Sequence, residues 1–74
     1  MTTVDARGLL CPLPLTMAKR QMQDLSPGEV LLVLATDPEA PIDLGAWAAA
    51  EGHQLEQRPG EGWTEFELVK SSGG

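Results

Sequence analysis

Hydrophobic and polar positions along this chain change period several times, and the changes predict six secondary-structure elements. Short runs rich in apolar side chains predict strands at Thr2–Ala6, Glu29–Thr36, Gln54–Arg58 and Trp63–Lys70. Apolar positions spaced three and four residues apart predict helices at Pro12–Asp24 and Pro41–Glu51. Proline and glycine separate the elements, so the predicted order is β-α-β-α-β-β.

The two longest predicted strands have different patterns. The second reads Glu-Val-Leu-Leu-Val-Leu-Ala-Thr, which predicts burial on both faces or nearly so. The fourth alternates, with Thr64, Phe66 and Leu68 on one face, which implies that its other face lies in water. Two helices are too few to cover both faces of four strands. We therefore expect an α/β two-layer sandwich, a mixed four-stranded sheet with both helices on one face.

Each helix is expected to turn one apolar stripe to the core. For the first helix the predicted stripe is Leu15, Ala18, Met22 and Leu25. For the second it is Ile42, Ala46, Ala49 and Ala50, with Leu44 and Trp47 on a neighbouring face. Gly52 is a typical residue just past a helix end.

Length and composition restrict the function. The 74 residues suffice for one domain, predicted over residues 1–70, with a flexible tail at 71–74. One cysteine and one histidine argue against a disulfide framework or a metal site, and no cofactor is expected. A net charge of -6 disfavours direct binding to nucleic acid. Because we find neither a signal peptide nor a membrane-length apolar run, we expect a cytoplasmic protein.

The single cysteine, Cys11, precedes a predicted helix start. Pro12 favours extended backbone at Cys11 and is tolerated at the first helical position, as Pro14 is two residues later. The helix dipole and the backbone N–H groups of Leu13 and Leu15 would stabilise an anion there. We therefore predict an exposed thiolate with few permanent partners, whose pKa lies below that of a free cysteine.

The charges near Cys11 and the lack of an identifiable base or second cysteine limit the reactions that Cys11 can carry out. Arg7 belongs to the one locally basic region of the chain, which surrounds the cysteine. A hydrolytic nucleophile needs a base, and nothing in the sequence places His53 near the thiol. Dithiol redox chemistry needs a second cysteine. The chemistry that remains is acceptance of a sulfur atom as a persulfide, followed by transfer to another protein.

The segment Asp-Ala-Arg-Gly-Leu-Leu-Cys-Pro-Leu-Pro, residues 5–14, resembles the N-terminal signature of the TusA/SirA-like sulfur carriers, with its Cys-Pro-x-Pro motif. Pro27-Gly28-Glu29, Ala35-Thr36-Asp37-Pro38 and Gly52-His53 are similar to the family pattern in order and spacing. The resemblance implies the two-layer fold predicted above and a sulfur relay on Cys11. It also implies a cysteine desulfurase or rhodanese as donor and a downstream sulfur-transfer protein as acceptor, in transfer-RNA thiolation, sulfur oxidation or related trafficking.

The resemblance also assigns site residues. Cys11 would carry the sulfur, Pro12, Leu13 and Pro14 would shape the helix start, and Arg7, Gly8 and Asp37 match supporting positions. Because a parallel crossover brings the end of the second strand to the edge where the first helix starts, we expect Asp37 close to Cys11.

Two alternatives remain open. Gly73-Gly74 could act as a C-terminal thiocarboxylate, as in ubiquitin-like sulfur carriers, although the element order differs. The chain could instead be a regulatory or adaptor domain in which Cys11 is incidental.

Overall fold

The computed structural model of the chain describes residues 2–71. Its elements are β1 (Thr2–Ala6), α1 (Leu13–Gln23), β2 (Val30–Ala35), α2 (Ala40–Glu51), β3 (Gln54–Pro59) and β4 (Thr64–Val69). The sheet order is β1-β2-β4-β3; β1 and β2 are parallel, and the other pairs are antiparallel. The predicted element order and mixed sheet are confirmed. Of the predicted tail, residues 72–74 lie outside the described residues.

The core lies between one face of the sheet and both helices. The strand register places Val4 beside Val33 and Val33 beside Phe66, so these side chains point to the same face. Leu44 of α2 and Ala18 of α1 are fully buried in the same cluster. Both helices therefore cover one face of the sheet, as predicted. The remaining members of the cluster are Ala6, Met22, Leu31, Ala35, Ala40, Ala48 and Leu68.

The expectation that β2 would be buried on both faces is not met. Its side chains alternate between buried and half-buried, with Leu31 inside and Leu32 and Leu34 on the open face. The reason is the two-layer architecture. Within residues 2–71, both helices pack on one face of the sheet, and the second face carries no helix. The apolar run is instead explained by the central position of β2 between β1 and β4.

The predicted stripe of α2 is wrong. The buried residues are Ala40, Leu44 and Ala48, whereas Ile42 is 65% exposed. The helix is apolar around most of its circumference, so its sequence pattern does not distinguish one face from another. Packing against the sheet selects the face, and that choice also decides where Asp43 points.

Helix α1 begins one residue later than predicted. Pro12 is the N-cap residue, Leu13 the first helical residue, and Pro14 the second. Pro14 is also buried and continues the inward stripe with Ala18 and Met22, while Leu15 and Leu25 pack half-buried against the core. The predicted helix stop after α2 is confirmed, since Gly52 has a left-handed φ of 77°.

Candidate functional site

The parallel pairing of β1 and β2 brings two loops to one edge of the sheet, and Cys11 lies in the first of them. Its thiol is free and exposed, as the sequence predicted, but Cys11 lies directly before the N-cap residue Pro12 and is not itself the N-cap. The Cys11–Pro12 peptide bond is cis. The backbone N–H of Leu13 donates a hydrogen bond of 2.9 Å to the carbonyl of Leu10, which closes a turn around the cysteine.

The second loop holds the first through side-chain oxygens. Thr36 Oγ1 accepts a hydrogen bond of 2.9 Å from the backbone N–H of Gly8, whose φ of 82° favours glycine. Asp37 Oδ2 accepts one of 2.9 Å from the N–H of Cys11. Asp37 is only 9% exposed, so this contact lies at the buried base of the loop. The predicted proximity of Asp37 to Cys11 is confirmed, and both hydrogen bonds restrict where the thiol can lie.

The thiol has a partner that the sequence did not reveal. Cys11 Sγ lies 2.8 Å from Oδ2 of Asp43, in the first turn of α2, and donates a hydrogen bond to it. The thiol thus has one hydrogen-bond partner within residues 2–71, and that partner is an acid. The hydrogen bond to Asp43 raises the pKa of Cys11 to about 11, and partial desolvation and the charges of Asp43, Asp37 and Glu39 act in the same direction.

The predicted fall in the pKa of Cys11 is thus contradicted, and the physical reason is proximity. A helix N-terminus contributes about half an elementary charge, worth about 0.3–1 kcal/mol at an exposed site. Asp43 places a whole negative charge at hydrogen-bond distance from the sulfur. In addition, the N–H of Leu13 is already bonded to Leu10 and is not directed at the sulfur. An anionic Cys11 would face a carboxylate, so the neutral thiol is favoured.

Arg7, predicted as possible support for the thiol, is directed elsewhere. Its guanidinium donates hydrogen bonds of 2.9 and 2.8 Å to the carboxylate of Asp5 and lies 4.9 Å from the ring centroid of Trp63. The same pair lowers the pKa of Asp5 to about 2. Arg7 is therefore paired with Asp5 and is not directed at the sulfur, whereas the carboxylates that act on the sulfur come from the second loop and α2.

Apolar side chains are exposed around the site. Leu10 is 70% exposed, Leu13 is 49% exposed and Ile42 is 65% exposed; these are the exposed large hydrophobic residues of the segment 2–71. Leu10 and Leu13 flank the cysteine in the chain, and Ile42 precedes Asp43. Exposed apolar side chains near a reactive group are typical of a surface that other proteins contact.

His53 belongs to another part of the molecule. Its Nδ1 accepts a hydrogen bond of 3.0 Å from the backbone N–H of Ser71, and its ring packs edge-on against Trp47 at 5.2 Å. Within residues 2–71, no three His, Cys, Asp or Glu side chains form a group that could hold a metal ion. Neither helix of the described chain combines the length and apolar character that crossing a lipid bilayer requires.

The fold and the site together define a class: a small α/β sandwich that presents one exposed cysteine at a helix start. A sequence profile described as "Sulfurtransferase TusA" matches residues 2–70. The chain therefore belongs to the TusA family, and the sulfur-carrier class predicted from the sequence is confirmed.

Individual relatives agree with this assignment. The chain is 42% identical over 69 residues to the sulfur carrier protein TusA of Allochromatium vinosum, covering 93% of this chain and 91% of that protein. It is 46% identical over 59 residues to YrkF of Bacillus subtilis (strain 168), covering 80% of this chain but only 32% of YrkF. The crystal structure of a SirA-like protein from Desulfitobacterium hafniense superposes with a TM-score of 0.87 at 32% identity, covering 96% of this chain and 99% of that one.

Proposed function

We propose that this chain accepts sulfur as a persulfide on Cys11 and relays it to another protein. The observation that carries the proposal is the free, exposed Cys11 thiol at the start of α1 in a chain of the TusA family. The exposed side chains of Leu10, Leu13 and Ile42 support it, because sulfur transfer between proteins requires a surface on which the partner can dock.

The proposed transfer is a thiol–disulfide-type exchange. The Cys11 thiol loses its proton, and its sulfur attacks the terminal sulfur of a cysteine persulfide on the donor. A bond forms from Cys11 Sγ to that sulfur, and the sulfur–sulfur bond of the donor breaks. The donor cysteine leaves as a thiolate and takes up a proton, so the exchange consumes no external oxidant. Transfer to the acceptor repeats these steps and returns Cys11 to the thiol.

The donor we propose is a cysteine desulfurase or a rhodanese, and the acceptor is a further sulfur-transfer protein. The destinations we consider are transfer-RNA thiolation, sulfur oxidation and related sulfur trafficking. The cytoplasm is the proposed site, because a lone thiol stays reduced there. We propose residues 1–70 as the working domain, with the sulfur on Cys11 and with Gly8, Pro12, Leu13, Pro14 and Asp37 shaping the site around it.

Intact-mass measurement tests the proposal. After incubation with cysteine and a cysteine desulfurase, the protein should gain the mass of one sulfur atom, and a reducing agent should remove it. Cys11→Ser should abolish the gain, whereas deletion of Gly73 and Gly74 should leave it unchanged. The reverse pattern would favour the C-terminal thiocarboxylate. A Cys11→Ser variant that retains both partner binding and the cellular phenotype would favour an adaptor role instead.

A further inference from the structure

The contact between Cys11 and Asp43 suggests how the carrier is controlled. We propose that Asp43 is a positioning residue that holds Cys11 as a protonated thiol in the resting carrier, and that a sulfur-transfer partner frees the thiol by bringing a cationic side chain to Asp43. The inference rests on the proposed function and adds the chemistry that the partner must supply.

The geometry makes Asp43 a fixed neighbour of the thiol. The carboxylate lies 2.8 Å from Cys11 Sγ, and the next residue in α2, Leu44, is fully buried and anchors that turn of the helix in the core. On the other side, Asp37 holds the backbone N–H of Cys11 at 2.9 Å. The backbones of both residues are therefore tied to the folded core, and the contact at the exposed surface requires only the side-chain rotations of Cys11 and Asp43.

The charges that face the thiol all have one sign. Asp43 approaches from α2, while Asp37 and Glu39 approach from the loop between β2 and α2, and each raises the pKa of Cys11. Arg7, the cation of the cysteine loop, is paired with Asp5 and stacked on Trp63. The groups that act on the sulfur within residues 2–71 are therefore acidic, and in this proposal the compensating cation comes from a second molecule.

A thiol held in this way is a weak nucleophile in isolation, since the thiolate is the reacting form. A cationic side chain on a docked partner would pair with Asp43 and relieve the repulsion between its carboxylate and the thiolate. Cys11 would then lose its proton next to the persulfide of the donor. The proton that Cys11 releases is balanced by the proton that the leaving donor thiolate takes up, so the sequence of steps is balanced.

The first test measures alkylation of Cys11 by iodoacetamide as a function of pH, without any sulfur donor. Asp43→Asn should lower the apparent pKa of the thiol and raise the rate near neutral pH. A fall of one to two pKa units increases the thiolate about 10–100-fold, and its lower nucleophilicity offsets part of this, which leaves about a three- to tenfold gain. Asp24→Asn, the same change at the far end of α1, should leave the profile unchanged.

The outcomes of this test separate the two proposals. An unchanged profile in Asp43→Asn, with the helical circular dichroism preserved, would overturn the role of Asp43 even if Cys11 still accepts sulfur. A shifted profile supports that role even if no donor loads the protein. Asp43→Glu, which keeps the carboxylate, should retain an apparent pKa closer to that of the unaltered chain than Asp43→Asn does.

The second test uses the unaltered chain and so does not depend on how a variant folds. Cys11 is treated with a cationic and with an anionic methanethiosulfonate reagent of similar size. The cationic reagent should react faster, and raising the salt concentration should reduce the difference, because the preference is electrostatic. Equal rates, or faster reaction of the anionic reagent, would contradict selection for a cationic partner.

Discussion

The two ends of the helix layer use their polar groups for different purposes. At the end away from Cys11, the ammonium group of Lys70 donates hydrogen bonds to the carbonyls of Met22 and Leu25, at 2.9 and 2.6 Å. His53 and Ser71 bond to each other beside the end of α2, where the hydroxyl of Ser71 also donates to the carbonyl of Glu51. The Lys70 cation complements the dipole at the C-terminal end of α1, while the hydrogen bonds of Ser71 with His53 and Glu51 join the end of α2 to the segment after β4.

At the thiol end, polar side chains hold a loop and a reactive sulfur. Thr36 and Asp37 accept hydrogen bonds from the backbone of the cysteine loop, and Asp43 accepts one from the thiol itself. The first turn of α1 contains no acidic residue of its own, so the anions at its start come from other elements. At one end, polar groups therefore satisfy the carbonyls where the helices end. At the other end, polar groups position the thiol, and apolar residues beside it stay exposed.

The largest expected effect is a loss of stability, and it tests which face of α2 packs on the sheet and so places Asp43 beside the thiol. Leu44→Ala should destabilise the fold by about 2–5 kcal/mol, because it opens a cavity in the core. It should also loosen the turn that holds Asp43 and so increase the alkylation rate of Cys11. Ile42→Ala, on the exposed side of the same turn, should change stability by less than about 0.5 kcal/mol. Urea unfolding of the two variants measures both values, and similar losses would contradict the orientation of α2.

The next prediction concerns the end of the helix layer away from Cys11, where a substitution should lower the stability of the fold without changing the reactivity of the thiol. Lys70→Met should cost about 1–3 kcal/mol, because two carbonyls at the end of α1 lose a charged donor. The alkylation rate of Cys11 should stay the same. Lys19→Met, an exposed lysine of the same region, is the matched control and should have a smaller effect on the denaturation midpoint. A change in thiol reactivity in Lys70→Met would show that the two ends are coupled.

At the thiol end, a smaller loss of stability should accompany a change in reactivity. Asp37→Ala removes the acceptor of the Cys11 N–H and should cost about 1–2 kcal/mol. It also removes one of the charges that disfavour the thiolate, so alkylation of Cys11 should become faster. Asp37→Asn keeps an acceptor oxygen and should retain most of the stability. If Asp37→Ala slows alkylation, the electrostatic explanation is wrong.

The smallest effect concerns alkaline pH. The folded-state pKa of Cys11 is about 11 against an ordinary value of 9.0, so the thiol contributes stability below pH 9.0 that is lost as the pH rises towards 11. As the pH rises from about 8 to about 10.5, the urea midpoint of the unaltered chain should therefore fall relative to that of Cys11→Ala. A constant difference over this interval would contradict a raised pKa.

Much of the fold could be predicted because its signals are local. The alternation in β4, the proline and glycine breaks and the spacing in α1 reflect the period of each element, and the structure places the six elements within one or two residues of the prediction. The proximity of Asp37 to Cys11 also followed from connectivity, since parallel strands end at the same edge. The face of α2 could not be predicted, because an apolar helix offers several equivalent stripes.

By itself the sequence determined the order of the elements, the start of a helix just after Cys11 and the membership of the family, because each depends on neighbouring residues and a recognisable motif. Only the tertiary structure decided the state of the thiol. Asp43 lies 32 positions from Cys11 in the chain, and its contact with Sγ exists because core packing rotates α2 to bury Leu44. A carboxylate brought through space to a sulfur outweighs the helix dipole that the local sequence provides, since its full charge lies at hydrogen-bond distance.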